Sequence, residues 1–251
     1  MIESLREYFR QLADTHPKWN FIYIYDPGVG ERVLDGFWMT VQLSVTCVLL
    51  SVVIGVVGAW LQRSHLVLLR RFVQGYVQFF RNTPPLIQLL FFYFALGQFT
   101  PTYAPDGWLE QPVISNVGWA IISLSFFAGA FNVEIFRSGI EAVPESTIEA
   151  SDSLGMSHLQ TYIYVILPLA FRVSLPALNN NLVNLVKTTT QAIVIAVPEL
   201  LYQLVSIYND YSTAQNACMV LMFVVYIVLV GILVLGMNRW ERAMKIPGYG
   251  G

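Results

Sequence analysis

Five apolar stretches, at about 36–62, 84–100, 114–136, 173–197 and 213–237, constrain this chain more than any other feature. A bilayer core about 30 Å thick needs about 20 mostly apolar residues to be crossed by a helix. No water is available there, so each backbone group is satisfied within its own segment and a helix is the form that achieves this. Of the 251 residues, 12% are charged, against about 25% in soluble domains. The chain reads as an all-α membrane protein with about five transmembrane helices and no room for a large soluble domain. The second stretch is short for a span unless its helix begins earlier, near Phe72, where "FVQGYVQFF" is amphipathic.

Residues 1–35 form an N-terminal extension, 36–240 a transmembrane domain and 241–251 a C-terminal tail. In the extension, Glu3, Arg6, Glu7 and Arg10 alternate with Ile2, Leu5, Phe9 and Leu12 at helical spacing. This is the pattern of an amphipathic helix at a membrane interface, not of a secretory signal. The aromatics of "NFIYIYDPG", 20–28, suit the headgroup boundary. Short loops rich in Lys and Arg stay in the cytoplasm. Arg63, Arg70, Arg71 and Arg81 follow the first span, Arg137 and Arg172 flank the segment after the third, and Arg239, Arg242 and Lys245 close the chain. The alternate loops, 100–115 and 199–212, lack basic residues, which puts the N-terminus outside and the C-terminus in the cytoplasm. Arg6, Arg10, Lys18 and Arg32 count against that orientation. A net charge of −2 gives no nucleic-acid footprint. Cys47 and Cys218 sit in apolar runs and read as small core residues.

The loop 145–168 is too polar and too long for an ordinary connection. Ser146-x-x-Glu149 has the form of a capping box that opens a helix, and Gly155 is placed to end it in a left-handed conformation. Ser157-x-x-Gln160 repeats the capping signature, and Pro168 is expected to interrupt continuation into the next span. The first helix then projects Glu145, Glu149 and Asp152, with Ile148 and Leu154 as small apolar anchors, and reads as a docking knob for a partner. A solvated loop with local caps accounts for the charges but not for the immediate helix–turn–helix.

Glu149-Ala150-Ser151, then three residues, Gly155, nine residues, Val165, one residue and Leu167-Pro168 resemble the EAA loop of bacterial ABC importer permeases, EAA-x3-G-x9-I-x-LP. Ser151 replaces an alanine and Val165 an isoleucine. "GFWMTVQLS", "RNTPPLIQLLFFYF", "GAFNVEIFRSGIEAVPES" and "NLVKTTTQAIVIAVPELL" resemble, in order, stretches of the polar amino-acid branch, the histidine and glutamine permease type. The resemblance covers about 36–240 and leaves out the first 35 residues. It implies a type I ABC importer permease-like fold in the bacterial cytoplasmic (inner) membrane, with the EAA loop as a cytoplasmic coupling helix seated in an ATPase subunit. The coupling residues are then Glu145, Ile148, Glu149, Ala150, Ser151, Asp152, Leu154 and Gly155. The implied partners are two ABC ATPase subunits that bind ATP and Mg, a second permease subunit, identical or homologous, an extracytoplasmic substrate-binding protein and an amino-acid substrate.

The chain itself lacks G-x-x-x-x-G-K-[ST], since none of Lys18, Lys187 and Lys245 follows a glycine. It is read as a transporter subunit without a cofactor, not an enzyme. His16, His65 and His158 are scattered and show no metal or nucleophile–base spacing. The fourth span carries Asn179, Asn180, Asn181, Asn184, Lys187, Thr188, Thr189, Thr190 and Gln191. Polar groups in hydrocarbon are costly unless they face protein or water, so this face is expected to line the substrate path, with Asn184, Lys187, Thr188, Thr189 and Gln191 as its members. Lys187 has two readings: partner of a substrate α-carboxylate, or part of a polar network that holds a broken helix and a subunit interface. Structural roles are expected for Arg81 and Pro84 at the start of the second span, Glu134 paired with Arg137, and Pro168. The rival to an ATP-driven importer is an ion-gradient-driven secondary transporter or channel. That class places acidic groups deep in the membrane, where Glu134, near a span end, is the only candidate.

Overall fold

A computed structural model describes residues 2–104 and 108–244; Met1, residues 105–107 and 245–251, with Lys245 among them, lie outside the described residues. The helices are α1 (Ile2–Thr15), α2 (Ile22–Tyr25), α3 (Pro27–Gln62), α4 (Val67–Asn82), α5 (Pro85–Leu90), α6 (Asn116–Glu141), α7 (Glu145–Ser153), α8 (His158–Thr161), α9 (Leu167–Thr188), α10 (Leu200–Asp210) and α11 (Gln215–Met244). A π-helical turn, Phe91–Leu96, and a 3₁₀ turn, Gly97–Phe99, prolong α5. Two-residue strands β1 (Thr102–Tyr103) and β2 (Gln111–Pro112) pair antiparallel. Among the described residues, Pro27–Gln62, Asn116–Glu141, His158–Ile195 and Ser212–Met244 are long and apolar enough to cross a membrane, and Pro85–Phe99 is a shorter apolar helix.

Several expectations about these segments are corrected. The second apolar stretch does not begin at Phe72: α4 ends at Asn82, and Thr83 after it is extended (φ −112, ψ 135). Pro84 disfavours helical geometry at the residue before it, and a new helix starts at Pro85. The loop expected after residue 199 is instead α10, which buries Leu200, Leu204 and Ile207 on one face. Pro168 does not interrupt the chain's course, because α8, a π-helical turn at Tyr162–Ile166 and α9 run on as one helix. Proline has no N–H to place in the ladder, and it falls in the first turn of α9, where the wider π register absorbs the change. The first span also starts earlier than 36. Pro27 opens α3 with its fixed φ, and the Asp26 carboxylate accepts from the Val29 N–H at 3.0 Å. At the other end α11 continues through residues 241–244 of the expected tail.

The chain divides into two compact units. The first comprises Met1–Thr46, Leu89–Ile121 and Lys187–Gly231, and its core gathers Ile22, Val29, Leu200, Leu204, Ile207 and Cys218. There the Glu199 side chain, 1% exposed, caps α10: its oxygens accept the Leu201 and Tyr202 N–H groups at 2.9 Å and the Tyr226 hydroxyl at 2.8 Å. Thr40 on α3 accepts the Leu200 N–H at 3.0 Å beside it. A 3₁₀ turn, Thr189–Ile195, ends in left-handed Ala196 (φ 56), and the Asn116 amide donates to the carbonyls of Ile195 and Ala196.

The second unit comprises Cys47–Gln88, Ile122–Val186 and Ile232–Gly251. Helices here approach closely, as expected where lipid supplies no hydrophobic drive and packing takes over. A Cβ on Gly58 would lie 2.3 Å from Val133 Cγ2. A buried polar chain joins three helices: the Asn132 amide donates to Ser51 Oγ at 3.2 Å, and the Asn181 amide donates to Asn132 Oδ1 at 2.8 Å. Both cysteines are buried and outside any disulfide, as read from their apolar surroundings.

Candidate functional site

The elbow between α6 and α9 lies wholly in the second unit. Its helix α7 begins one residue before the predicted capping serine. Pro144 occupies the N-cap with extended geometry (φ −61, ψ 139), and no side chain caps the helix. Ser146 therefore sits inside the first turn and the Ser146–Glu149 capping box does not form. Pro144 fixes the entry angle, and the Glu145 carboxylate complements the helix N-terminus.

The C-terminus follows the predicted geometry. Gly155 has φ +76, its N–H donates to the Asp152 carbonyl at 2.9 Å, and the Met156 N–H donates to the Ser151 carbonyl at 3.2 Å. This pair of bonds is a Schellman closure, which needs a left-handed residue at the glycine. The chain then enters α8 through a complete capping box: the Gln160 N–H donates to Ser157 Oγ at 3.4 Å, and the Ser157 N–H to Gln160 Oε1 at 2.8 Å.

Two inward groups fix the elbow. Ile148 packs on the cluster of Val143, Ile166 and Ala170. Ser151, 4% exposed, donates to the Ile148 carbonyl at 2.7 Å and lies 3.0 Å from the buried Thr161 hydroxyl. Glu145, Glu149, Ala150, Asp152, Leu154 and Gly155 all face solvent. Leu154 is thus not an anchor. It occupies the C-cap of the helix just before the left-handed turn, with its side chain 82% exposed. Three carboxylates at helical spacing beside one exposed leucine make an acidic surface with an apolar tip, which suits a cleft offering basic and apolar groups.

The polar residues of the fourth span separate in the structure. Asn179 donates to Glu241 Oε2 at 2.8 Å and Asn181 to Asn132, so these two hold neighbouring helices. Thr188 and Thr189 are buried and Gln191 is half-buried, against the expectation of an open face. Asn180, Asn184 and Lys187 remain exposed at i, i+4, i+7, one face of α9 shared with Val173, Pro176 and Ala177.

Arg137 donates to Glu134 Oε1 through Nε at 3.1 Å and to Glu141 at 2.6 Å. The expected pair is therefore a triad, since α6 continues past 136 and brings in Glu141. The Arg81 guanidinium lies 5.4 Å above the Phe131 ring. Glu199 was not identified as a buried acid by its sequence position, which falls in a stretch read as a loop. The signal present was a carboxylate directly before an apolar i, i+4, i+7 run.

Residues 51–242 match the family model of the binding-protein-dependent transport system inner membrane component. The probable amino-acid permease protein YxeN of Bacillus subtilis (strain 168) is 29% identical over 229 residues, 91% of this chain and 96% of that protein. The probable glutamine ABC transporter permease protein GlnP of the same organism is 30% identical over 183 residues, 73% of this chain and 79% of that protein. The crystal structure of an amino acid ABC transporter with histidines superposes with a TM-score of 0.75 at 27% identity, covering 88% of this chain and 98% of that one. The fold is that of a type I importer permease. Spans, elbow and matched sequence agree, and the chain belongs to the inner membrane components of binding-protein-dependent transport systems, the permease subunits of ABC transporters.

Proposed function

We propose that this chain forms the translocation path of an ATP-driven importer for polar amino acids and that α7 is its coupling helix. Membership of the family decides against the ion-gradient-driven alternative. ATP is hydrolysed by separate subunits, which bind the nucleotide and Mg. The observation that carries the reading is the elbow: Ile148 and Ser151 fix α7 from inside while Glu145, Glu149, Asp152 and Leu154 stand free outside. A helix held this way moves as a rigid lever when its outer face is pushed. A second permease, identical or homologous, and an external binding protein complete the assembly. The arginine distribution supports an inner-membrane orientation with the N-terminus outside and α7 in the cytoplasm. The exposed face of α9, with Asn184 and Lys187, borders the path, and Thr188 and Thr189 support it from behind.

The test is co-purification of the chain expressed with its ATPase and permease partners, in wild type, Glu149→Lys and Gly155→Arg. A Cβ at Gly155 meets nothing within 4 Å, so the arginine perturbs the outer surface and the left-handed cap without an internal clash. The expected result is an ATPase subunit that travels with wild type and is lost or uncoupled from transport in both variants. A wild-type chain that purifies alone and transports without ATP refutes the reading.

A further inference from the structure

Two adjoining cavities in the second unit remain outside the mechanism above. One, about 240 Å³, is an apolar groove walled by Val56, Ala59, Trp60, Phe136, Ala170 and Phe171 on α3, α6 and α9. Of the hydroxyl residues that line it, Ser174 already donates to the Ile135 carbonyl. The other, about 560 Å³, is a cleft at the α3–α4 turn formed by Trp60, Arg63, Ser64, His65, Leu69 and Tyr162. Trp60 and Tyr162 are walls of both, so an apolar trough opens into a wider mouth that carries Arg63, Ser64 and His65.

The mouth carries uncompensated positive charge. The Arg63 guanidinium lies 5.6 Å from the centre of the Tyr162 ring, within cation–π range, and among the described residues no carboxylate pairs with it. A guanidinium without a carboxylate partner keeps its fork of N–H donors for other oxygens. Arg70, Arg71 and Arg81 follow, and residues 62–84 contain no Asp or Glu. Beside these arginines α4 exposes Leu68 (83%) and Phe72 (73%), one helical turn apart. Apolar side chains set beside basic ones are the arrangement of a helix at an anionic headgroup layer.

We propose that the trough and its mouth form a binding site for an anionic phospholipid, with an acyl chain between Val56 and Phe171 and the phosphate at Arg63. A neutral lipid satisfies the groove but not the arginines, and a peptide leaves backbone groups unpaired against an almost wholly carbon wall. Tyr162 also packs on the cluster that seats Ile148. Occupancy therefore braces the inner side of α7, and anionic lipid raises the coupled ATPase rate. That last consequence alone rests on the coupling role proposed above.

The experiment is native mass spectrometry of the purified permease complex titrated with phosphatidylglycerol or phosphatidylcholine, for wild type, Arg63→Gln, Arg63→Lys and Val56→Trp. One basic group near an anionic surface contributes about 1 kcal/mol, so Arg63→Gln is expected to bind phosphatidylglycerol about fivefold more weakly. Arg63→Lys restores most of that loss. Val56→Trp, which fills the groove from its lipid-facing rim, is expected to abolish retention of both lipids without loss of assembly. In vesicles, phosphatidylglycerol mixed into phosphatidylcholine stimulates ATP hydrolysis by wild type and not by Arg63→Gln. Unchanged phosphatidylglycerol affinity in Arg63→Gln overturns the proposal, as does lipid retention unaffected in Val56→Trp. Loss of the ATPase subunit from Arg63→Gln in detergent also overturns it, by assigning Arg63 to a protein contact. If no ATPase subunit accompanies even wild type, the coupling reading fails while the lipid titration still decides the site.

Discussion

Replacing Ser151 with alanine tests whether the elbow is held from inside. Its Oγ lies 3.0 Å from Thr161 Oγ1, and both residues are buried, at 4% and 3% exposure. Ser151 gives its proton to the Ile148 carbonyl at 2.7 Å, so the Thr161 hydroxyl is the donor between the two. Ser151→Ala removes that acceptor and leaves a buried donor, a loss of about 1–3 kcal/mol. Thr161→Val removes the donor and leaves Ser151 bonded to Ile148, at about 1 kcal/mol. With both replaced no orphan remains, so the double variant is expected to be about 1 kcal/mol better than the sum of the single losses. Each kcal/mol corresponds to about 2–4 °C for a chain of this size. The assay is thermal melting of the purified complex together with substrate transported per ATP hydrolysed. Both quantities are expected to fall in Ser151→Ala and to recover in part in the double variant. Strict additivity, or a melting change with transport per ATP untouched, refutes the claim that this bond stiffens the lever.

Two further outcomes are expected. Burial pushes the Glu199 carboxyl above its usual 4.5, against the opposing pull of the Leu201 N–H, the Tyr226 hydroxyl and the Tyr202 N–H. The folded chain then holds this proton more tightly than the unfolded one, so its stabilising effect is complete below pH 4.5 and is lost as pH rises through the folded value. Glu199→Gln, which keeps the neutral shape, is expected to flatten this fall in melting temperature, and an unchanged pH slope contradicts the assignment. Lys187→Ala, at the exposed last turn of α9, is expected to lower uptake by about tenfold or more, the cost of removing a charge-assisted bond, while assembly and ATP hydrolysis persist. Normal uptake rules out a carboxylate contact, and loss of the complex assigns Lys187 to structure.

What the residues disclose ahead of the coordinates depends on whether a local rule acts alone. Gly155 and the pair Ser157–Gln160 form as read because each needs only its own few neighbours to satisfy the backbone. Ser146 met a competitor two residues earlier in Pro144, whose fixed φ opens the helix first. Leu154 looks like an anchor by composition, yet it falls at the C-cap, past the last turn that packs inward, and stands exposed. The fourth span shows the same limit on a larger scale. Its polar run is legible as a departure from hydrocarbon, but Asn179, Asn180 and Asn181 are equally polar and successive positions on a helix point about 100° apart. Contacts with other helices decide which of them turns inward: Glu241 takes Asn179, and Asn132, already tied to Ser51, takes Asn181. That choice fixes the rotation of α9, and the rotation leaves Asn180, Asn184 and Lys187 together on its exposed face. The buried amides and the exposed lysine are thus two results of one packing event. Disrupting Asn132–Asn181 is therefore expected to displace the proposed path face without touching a residue on it.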